Sequence, residues 1–289
     1  MIRVALHCDW RTDESWYECF KKYMKPDCTW DNILFVPPGE PYDFIVIFNR
    51  PMRYDFDPKK AVLVQLETYL TRDVVFLVKA RQEYFYVLTR EDGPMPAQWA
   101  LDSSYDQLRS SSPGKTKVLS SVVSGHIDKP MHGIRLAFLE SIRWEWFDLY
   151  GKRISNRPSS PRYVGQLARK EDGLKAYKYA IAIENDRLLN YFTEKATDAI
   201  LCECLCFYDG CPNVYDWINP EVIVPIDMTH RAAAMETIEK TVRDKEWEKR
   251  LPAIREEKRL ILEHKQPAPF IHRIVNRIER AGGHNGGRP

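Results

Sequence analysis

The chain has almost no net charge: 43 Lys and Arg against 41 Asp and Glu leave +2 over 289 residues. That argues against a dedicated nucleic-acid binder, whose footprint is a strongly basic surface. No apolar run is long enough to span a bilayer. The opening stretch from Met1 to His7 is too short in apolar residues for a secretory signal and reads as a first β-strand. Paired Cys-x-x-Cys spacings, the usual mark of a structural zinc site, are missing. Cys202, Cys204 and Cys206 instead alternate from a helix end into a strand, with Cys211 beyond, and read as buried apolar filler. Seven cysteines is an odd number, so reduced thiols in a cytoplasmic protein are expected. No Asp-x-Asp lies near a predicted strand end, and no glycine-rich phosphate loop occurs in the N-terminal half.

What is present is an ordinary globular composition, 44% hydrophobic and 29% charged, on a chain long enough for two domains. Short β-rich runs alternate with helical patterns through the first half. The strands are Ile2 to His7, Asn32 to Val36, Phe44 to Phe48 and Ala61 to Leu66. A helix from Glu14 to Met24 carries Trp16, Phe20 and Tyr23 on one face. This is the spacing of a small doubly wound α/β sheet. A polar stretch from Asp102 to Lys117, containing Ser110-Ser-Ser-Pro-Gly114, reads as a linker before the β pattern restarts at Val118. The expected domains are residues 1–114, 115–250 and a helical tail, 251–289.

The most informative segment is Ala176 to Gly210. Lys178 to Ile183 is a near-continuous apolar run, as for a strand covered on both faces. It stops at Glu184-Asn185-Asp186. Thr193 then stands as an N-cap before Glu194 and Lys195, with Ala199, Ile200 and Leu201 at helical spacing. A second strand, Cys204 to Tyr208, ends in Asp209-Gly210. Strand, helix and strand in so few residues imply a parallel crossover, whose ligands bind beyond the carboxyl ends of the strands. Glu184, Asn185, Tyr191, Thr193, Glu194 and Lys195 all fall at that edge. A helix N-terminus attracts phosphate, a lysine adds a point charge, and a carboxylate accepts ribose hydroxyls. Taken alone, the same residues read equally well as a helix cap beside a solvated lysine.

The combination YKYAIAIEND, NYFTEKATDAI and FYDGCPNVYDWINPEVIVPID resembles glycosyltransferase family 10, the α-1,3/1,4-fucosyltransferases that use GDP-fucose. The resemblance runs from about Lys115 to Asp227, with a weaker echo before it. It departs at Asp186, where the family usually has Ser or Thr, and at Cys206, near a common Pro. It implies an α/β fold of GT-B type, two Rossmann-like domains facing across a cleft, followed by C-terminal helices. It also implies inverting transfer of fucose to a hydroxyl of an oligosaccharide or glycoconjugate acceptor. Arg135, after the Val-Val-Ser strand, matches a family arginine on the donor diphosphate; without the family it reads as a solvated helix residue. Lys195 joins it there, Glu194 meets the ribose, and Asn185 and Tyr191 support the nucleotide. Asp148-Leu-Tyr-Gly-Lys-Arg153 matches a family strand and turn.

The family's catalytic base follows an N-domain strand, usually within Glu-Ser-Pro. Glu67 is the counterpart here, without the Ser-Pro; read alone, it is a strand-end carboxylate, and Asp73, Glu91 and Asp92 are alternatives. With two cations on the diphosphate, no cofactor is required, and a divalent metal is at most stimulatory. Family members of the animal Golgi carry a membrane anchor and stem; this chain reads as a bacterial or viral type. Ile271, Ile274, Val275 and Ile278 form an apolar stripe beside Arg273, Arg277 and Arg280. This is either a terminal helix packed on the N-domain or a peripheral contact with anionic membrane. Residues 282–289 are expected to be disordered. A transferase for another GDP-linked sugar, or a sugar-nucleotide-binding module without catalysis, fits the same motif.

Overall fold

The computed structural model describes residues 1–66, 74–89, 92–93, 95–124, 130–152 and 160–282. Glu67, Asp73, Glu91, Arg153 and the tail beyond Gly282 lie outside the described residues. The chain divides into two compact units. The first is Met1–Pro96 with Ser104–Asp106 and Glu263–Pro289; the second is Ala97–Ser103 with Gln107–Leu262. The expected boundary near Lys115 therefore falls inside the second unit, and the tail is shared between the two.

In the first unit, β1 (Ile2–Cys8), β2 (Thr29–Trp30), β3 (Ile33–Phe35), β4 (Phe44–Phe48), β5 (Ala61–Val64) and β6 (Tyr86–Leu88) form one sheet. Its order is β2-β3-β1-β4-β5-β6, parallel except for the β2–β3 pair. β5 is wholly buried and β4 almost so, which is why these strands read as continuous apolar runs. Helix α1 (Asp13–Phe20) starts at Thr12, whose hydroxyl accepts from the Ser15 N–H, and its first turn is acidic. It buries Trp16, Tyr17 and Phe20; Trp16 meets Phe48 edge-on at 5.4 Å, and Phe20 lies 5.4 Å from Phe35. Helix α2 (Val74–Glu83) precedes β6. Within the stretch read as linker, α3 (Tyr105–Ser110) forms instead, because Tyr105 packs on Trp30 at 5.3 Å and donates to Glu263.

In the second unit, β7 (Lys117–Val122), β8 (Phe147–Tyr150), β9 (Tyr163–Gly165), β10 (Tyr177–Ile183), β11 (Leu205–Asp209) and β12 (Ile223–Pro225) form a fully parallel sheet. The order β12-β11-β10-β7-β8-β9 is doubly wound, and its direction of winding reverses between β7 and β10. Helix α4 (Pro130–Ser141) lies between β7 and β8 in the chain, and α5 (Glu194–Leu201) between β10 and β11. Two further helices, α6 (Arg231–Arg243) and α7 (Glu246–Leu260), are separated by Lys245 in a left-handed conformation.

Helix α8 (Pro267–Gly282) belongs to the first unit. Pro267 opens it, as fits a residue without an N–H at a helix start. Phe270, Ile271, Val275 and Ile278 are buried, and the Gln266 side chain donates to the Tyr23 carbonyl at 2.9 Å. The apolar stripe is thus spent on packing, while Arg273, Arg277 and Arg280 stay exposed. Among the described residues, no helix is long and apolar enough to cross a membrane.

Candidate active site

β10 ends at Ile183, and the next residue, Glu184, turns its side chain back into the protein, where it is 1% exposed. Its Oε1 accepts from the Thr193 N–H at 2.9 Å and from the Tyr208 hydroxyl at 3.4 Å. Its Oε2 accepts from the Thr193 hydroxyl at 2.6 Å and from Lys195 Nζ at 3.2 Å. Thr193 occupies the N-cap of α5, but its hydroxyl is given to Glu184 and makes no cap bond. Thr193 therefore leaves the first turn of α5 without the cap it would normally supply, an arrangement that favours an anion at a helix start.

The loop between is held on its far side as well. Arg187 lies against both Asp209 oxygens at 2.6 and 2.5 Å and reaches Asp227 at 2.5 Å, while Asn190 and Asn213 exchange hydrogen bonds. Gly210 closes the arrangement. A methyl at that position would overlap the Glu184 side chain and stand 2.6 Å from the Tyr208 hydroxyl.

Arg135 rises from α4 and is 2% exposed. Its Nη1 donates to the Asn185 side chain at 2.8 Å and to the Ile183 carbonyl at 3.3 Å, whereas its Nε has no partner among the described residues. Burial pulls this guanidinium below its ordinary value, against the pull of Glu184 and Glu194. A desolvated cation with an open donor is a place for an anion. Lys195 Nζ contacts Glu184, Thr193 Oγ1 at 3.0 Å and Glu194 Oε1 at 3.3 Å. Burial opposes its charge, but the two glutamates hold its pKa above the usual lysine value.

These groups border a cleft of about 630 Å³ within the second unit, lined by the ends of β7 and β10 and by Arg135, Lys152, Lys170, Asn185, Glu194 and Lys195. The cleft lies where the sheet reverses its winding, and its size suits a small-molecule ligand. Glu184, Tyr191 and Thr193 stand behind the wall: Glu184 and Tyr191 are buried, and Glu184 and Thr193 serve to position Lys195.

Lys170 was not among the residues expected here. Its segment is basic and poor in apolar residues and reads as weakly ordered, yet it contains β9 and a 3-10 turn, Lys170–Gly173. Lys170 lies 2.6 Å from Asp198 and 3.7 Å from Glu194. The signal for it was Asp198 itself, an acid inside the apolar stripe of α5. Asp198 is fully buried, and burial, with Glu194 adding, pushes it up to about 6 against Lys170. Glu194 goes the other way: burial resists its charge, but Lys195 and Lys170 hold it down to about 2.

In the first unit, the chain leading to the expected base is anchored by a hydrogen bond from the Leu66 N–H to Asn49 at 2.9 Å. Glu67, Asp73 and Glu91 lie outside the described residues. Asp92, the remaining alternative, accepts from the Thr89 N–H and hydroxyl at 2.8 and 2.7 Å. Cys202, Cys204, Cys206 and Cys211 are free, buried thiols. Among the described residues, no three His, Cys, Asp or Glu side chains are placed to hold a metal ion.

The chain resembles solved glycosyltransferases along nearly its whole length. An α1,3-fucosyltransferase determined with GDP superposes with a TM-score of 0.53 at 18% identity, covering 92% of this chain and 91% of that one. A glycosyltransferase from Rickettsia africae ESF-5 gives 0.55 at 8% identity, over 98% and 99%. An α-glucosyltransferase bound to UDP and DNA also gives 0.55, at 10% identity over 96% and 99%. The fold is that of GT-B glycosyltransferases. A curated relative, GDP-fucose protein O-fucosyltransferase 3 of Bos taurus, is 29% identical over 89 residues. That match spans 29% of this chain and about a fifth (19%) of the bovine protein. No protein-family model matches the chain.

Two outcomes test this geometry. Gly210→Ala must displace Glu184, so it is expected to destabilise the protein by about 2 kcal/mol or more in urea unfolding; unchanged stability contradicts the packing. Asp198 has a folded pKa of about 6, above its unfolded value of 3.8. Its contribution is thus fully present below the unfolded value and is lost as pH rises through about 6. Parent stability relative to Asp198→Asn is expected to fall by about 3 kcal/mol across that window. A pH-independent difference contradicts the assignment.

Proposed function

We propose that the chain is an inverting glycosyltransferase that moves fucose from GDP-fucose to a hydroxyl of a glycan acceptor, in the manner of the α-1,3-fucosyltransferases. The observation that carries this is Arg135: a buried guanidinium with an unpartnered Nε at the switch-point cleft, beside Lys195 and the start of α5. A nucleoside diphosphate is an anion of matching size. Arg135 and Lys195 would bind the diphosphate and stabilise it as GDP departs. Glu194, ionised and facing the same cleft, would accept the ribose hydroxyls. Asn185 is held by Arg135 and would support the nucleotide; Tyr191 would do so from behind. Glu67 would take the proton from the attacking hydroxyl, the role of a general base. Two cations at the diphosphate make a fixed metal unnecessary.

The choice of GDP and fucose draws on the motif around Glu184 to Lys195 and on the likeness to fucosyltransferases. It is the part most exposed to test. Calorimetry with GDP is expected to show binding by the parent, weakened about 10- to 100-fold in Lys195→Ala. No binding by the parent, or equal binding by both, sinks the reading. Glu67→Gln is expected to keep GDP binding while transfer falls about 10²- to 10⁴-fold; undiminished transfer rules Glu67 out as the base. In a donor screen by thermal protection, another GDP-sugar protecting better than GDP-fucose would reassign the sugar. Intact GDP binding without slow release of GDP from GDP-fucose would favour a non-catalytic module.

We propose that any contact of α8 with an anionic membrane runs through its exposed arginines, since its apolar stripe is buried. Sedimentation with anionic vesicles is expected for the parent and lost in Arg273→Glu with Arg277→Glu. Sedimentation of both, or of neither, contradicts this.

A further inference from the structure

Glu194 and Asp198 stand one turn apart on α5, on one face, where two carboxylates repel. In water the cost would be small. Here Asp198 is 0% exposed and Glu194 is largely covered, its side chain 31% exposed, so the repulsion is barely screened. One residue answers both charges: Lys170, from the turn that follows β9, at 2.6 Å from Asp198 and 3.7 Å from Glu194. Asp198 is tied on its other side by the Ala100 N–H, which donates to its Oδ1 at 2.9 Å. Lys170 is therefore fixed from below by a group that cannot itself move. Above, it shares the Glu194 Oε1 with Lys195, which approaches the same oxygen at 3.3 Å. Two ammonium groups on one oxygen clamp a side chain that would otherwise sample several rotamers.

We propose that Lys170, backed by Asp198, is a positioning residue of the donor site, holding the Glu194 carboxylate so that it accepts both hydroxyls of a ribose and selects ribonucleotides over 2′-deoxyribonucleotides. This rests on the reading of Glu194 as the ribose contact. A carboxylate that accepts two vicinal hydroxyls needs both oxygens in one plane and at one distance. A loosened glutamate still accepts one hydroxyl. Loss of the clamp therefore falls on the nucleotide that offers two, and much less on the one that offers one. A lysine that merely neutralised phosphate would lower affinity for both nucleotides alike, and so would a packing defect.

The experiment is calorimetry on the full chain with GDP and with 2′-deoxy-GDP. The proteins compared are the parent, Lys170→Met, Lys170→Arg and the double variant Lys170→Met with Asp198→Asn, which leaves no unpaired charge in the interior. The parent is expected to prefer GDP by about tenfold. Lys170→Met and the double variant should lose about tenfold on GDP and less than about threefold on 2′-deoxy-GDP, while Lys170→Arg keeps the preference. Equal losses on both nucleotides, or an unchanged preference in the double variant, overturn the proposal while leaving the GDP site standing. A parent that binds neither nucleotide overturns the donor-site reading and this proposal with it.

Discussion

The Glu184 carboxylate, buried where β10 ends, receives a backbone N–H, two hydroxyls and an ammonium group. An ionised carboxyl in that position is tolerable only because these contacts are all present at once. That condition determines much around it. Thr193 must turn its hydroxyl away from the helix it would normally cap, so the start of α5 stays open. Lys195 must fold back along the helix face, so its charge sits at the cleft rather than in solvent. Tyr208, next to last in β11, must point its hydroxyl at Glu184, and the residue just past the strand, Gly210, must be glycine, because any side chain there occupies the space that Glu184 needs. The glutamate need not face the cleft to govern it; it sets the positions of groups that do.

From Glu184 the charges alternate across the cleft wall: Glu184, Lys195, Glu194, Lys170, Asp198. Each member is shared between neighbours, which limits the freedom of every side chain and keeps unpaired charge out of the interior. Arg135 stands outside this chain, its contacts being the neutral Asn185 side chain and the Ile183 carbonyl. Among the described residues it has no carboxylate partner, and it is more deeply buried than Lys170 and Lys195. The two facts together make it the strongest indication that an anion belongs there.

Much of this fold could be read from the residues because its central strands are buried on both faces. β4 and β5 appear as unbroken apolar runs and β1, β10 and β11 as nearly unbroken ones, and the crossover at Ala176 to Gly210 followed from two of them. β2, β6, β9 and β12 escaped notice because they are edge strands of two or three residues, too short to show a period. The cleft was legible in its residue types but not in their division of labour. Glu184 and Glu194 look equivalent in sequence, each a glutamate at the end of an element, and only burial separates the one that positions from the one that faces the cleft. Lys170 was beyond reach for another reason. Its partner lies 28 positions away on a different element, and nothing local marks a lysine in a basic stretch as the one drawn inside.

The pairing of cations with carboxylates also bears on how such a site would work. Cations with no counter-charge would grip a sugar nucleotide and its diphosphate product equally hard, and uniform binding of that kind does not speed a reaction. In this cleft Lys195 already has carboxylate partners in the resting protein, so a ligand's ground-state charge gains only part of its attraction. As a glycosidic bond breaks, negative charge grows on the departing diphosphate, and a lysine already oriented by Glu184 responds without having to be gathered from solvent. On the proposed reading, the buried acids are therefore part of the catalytic design: they moderate the hold on GDP before and after transfer and leave the added attraction to the moment the bond is broken.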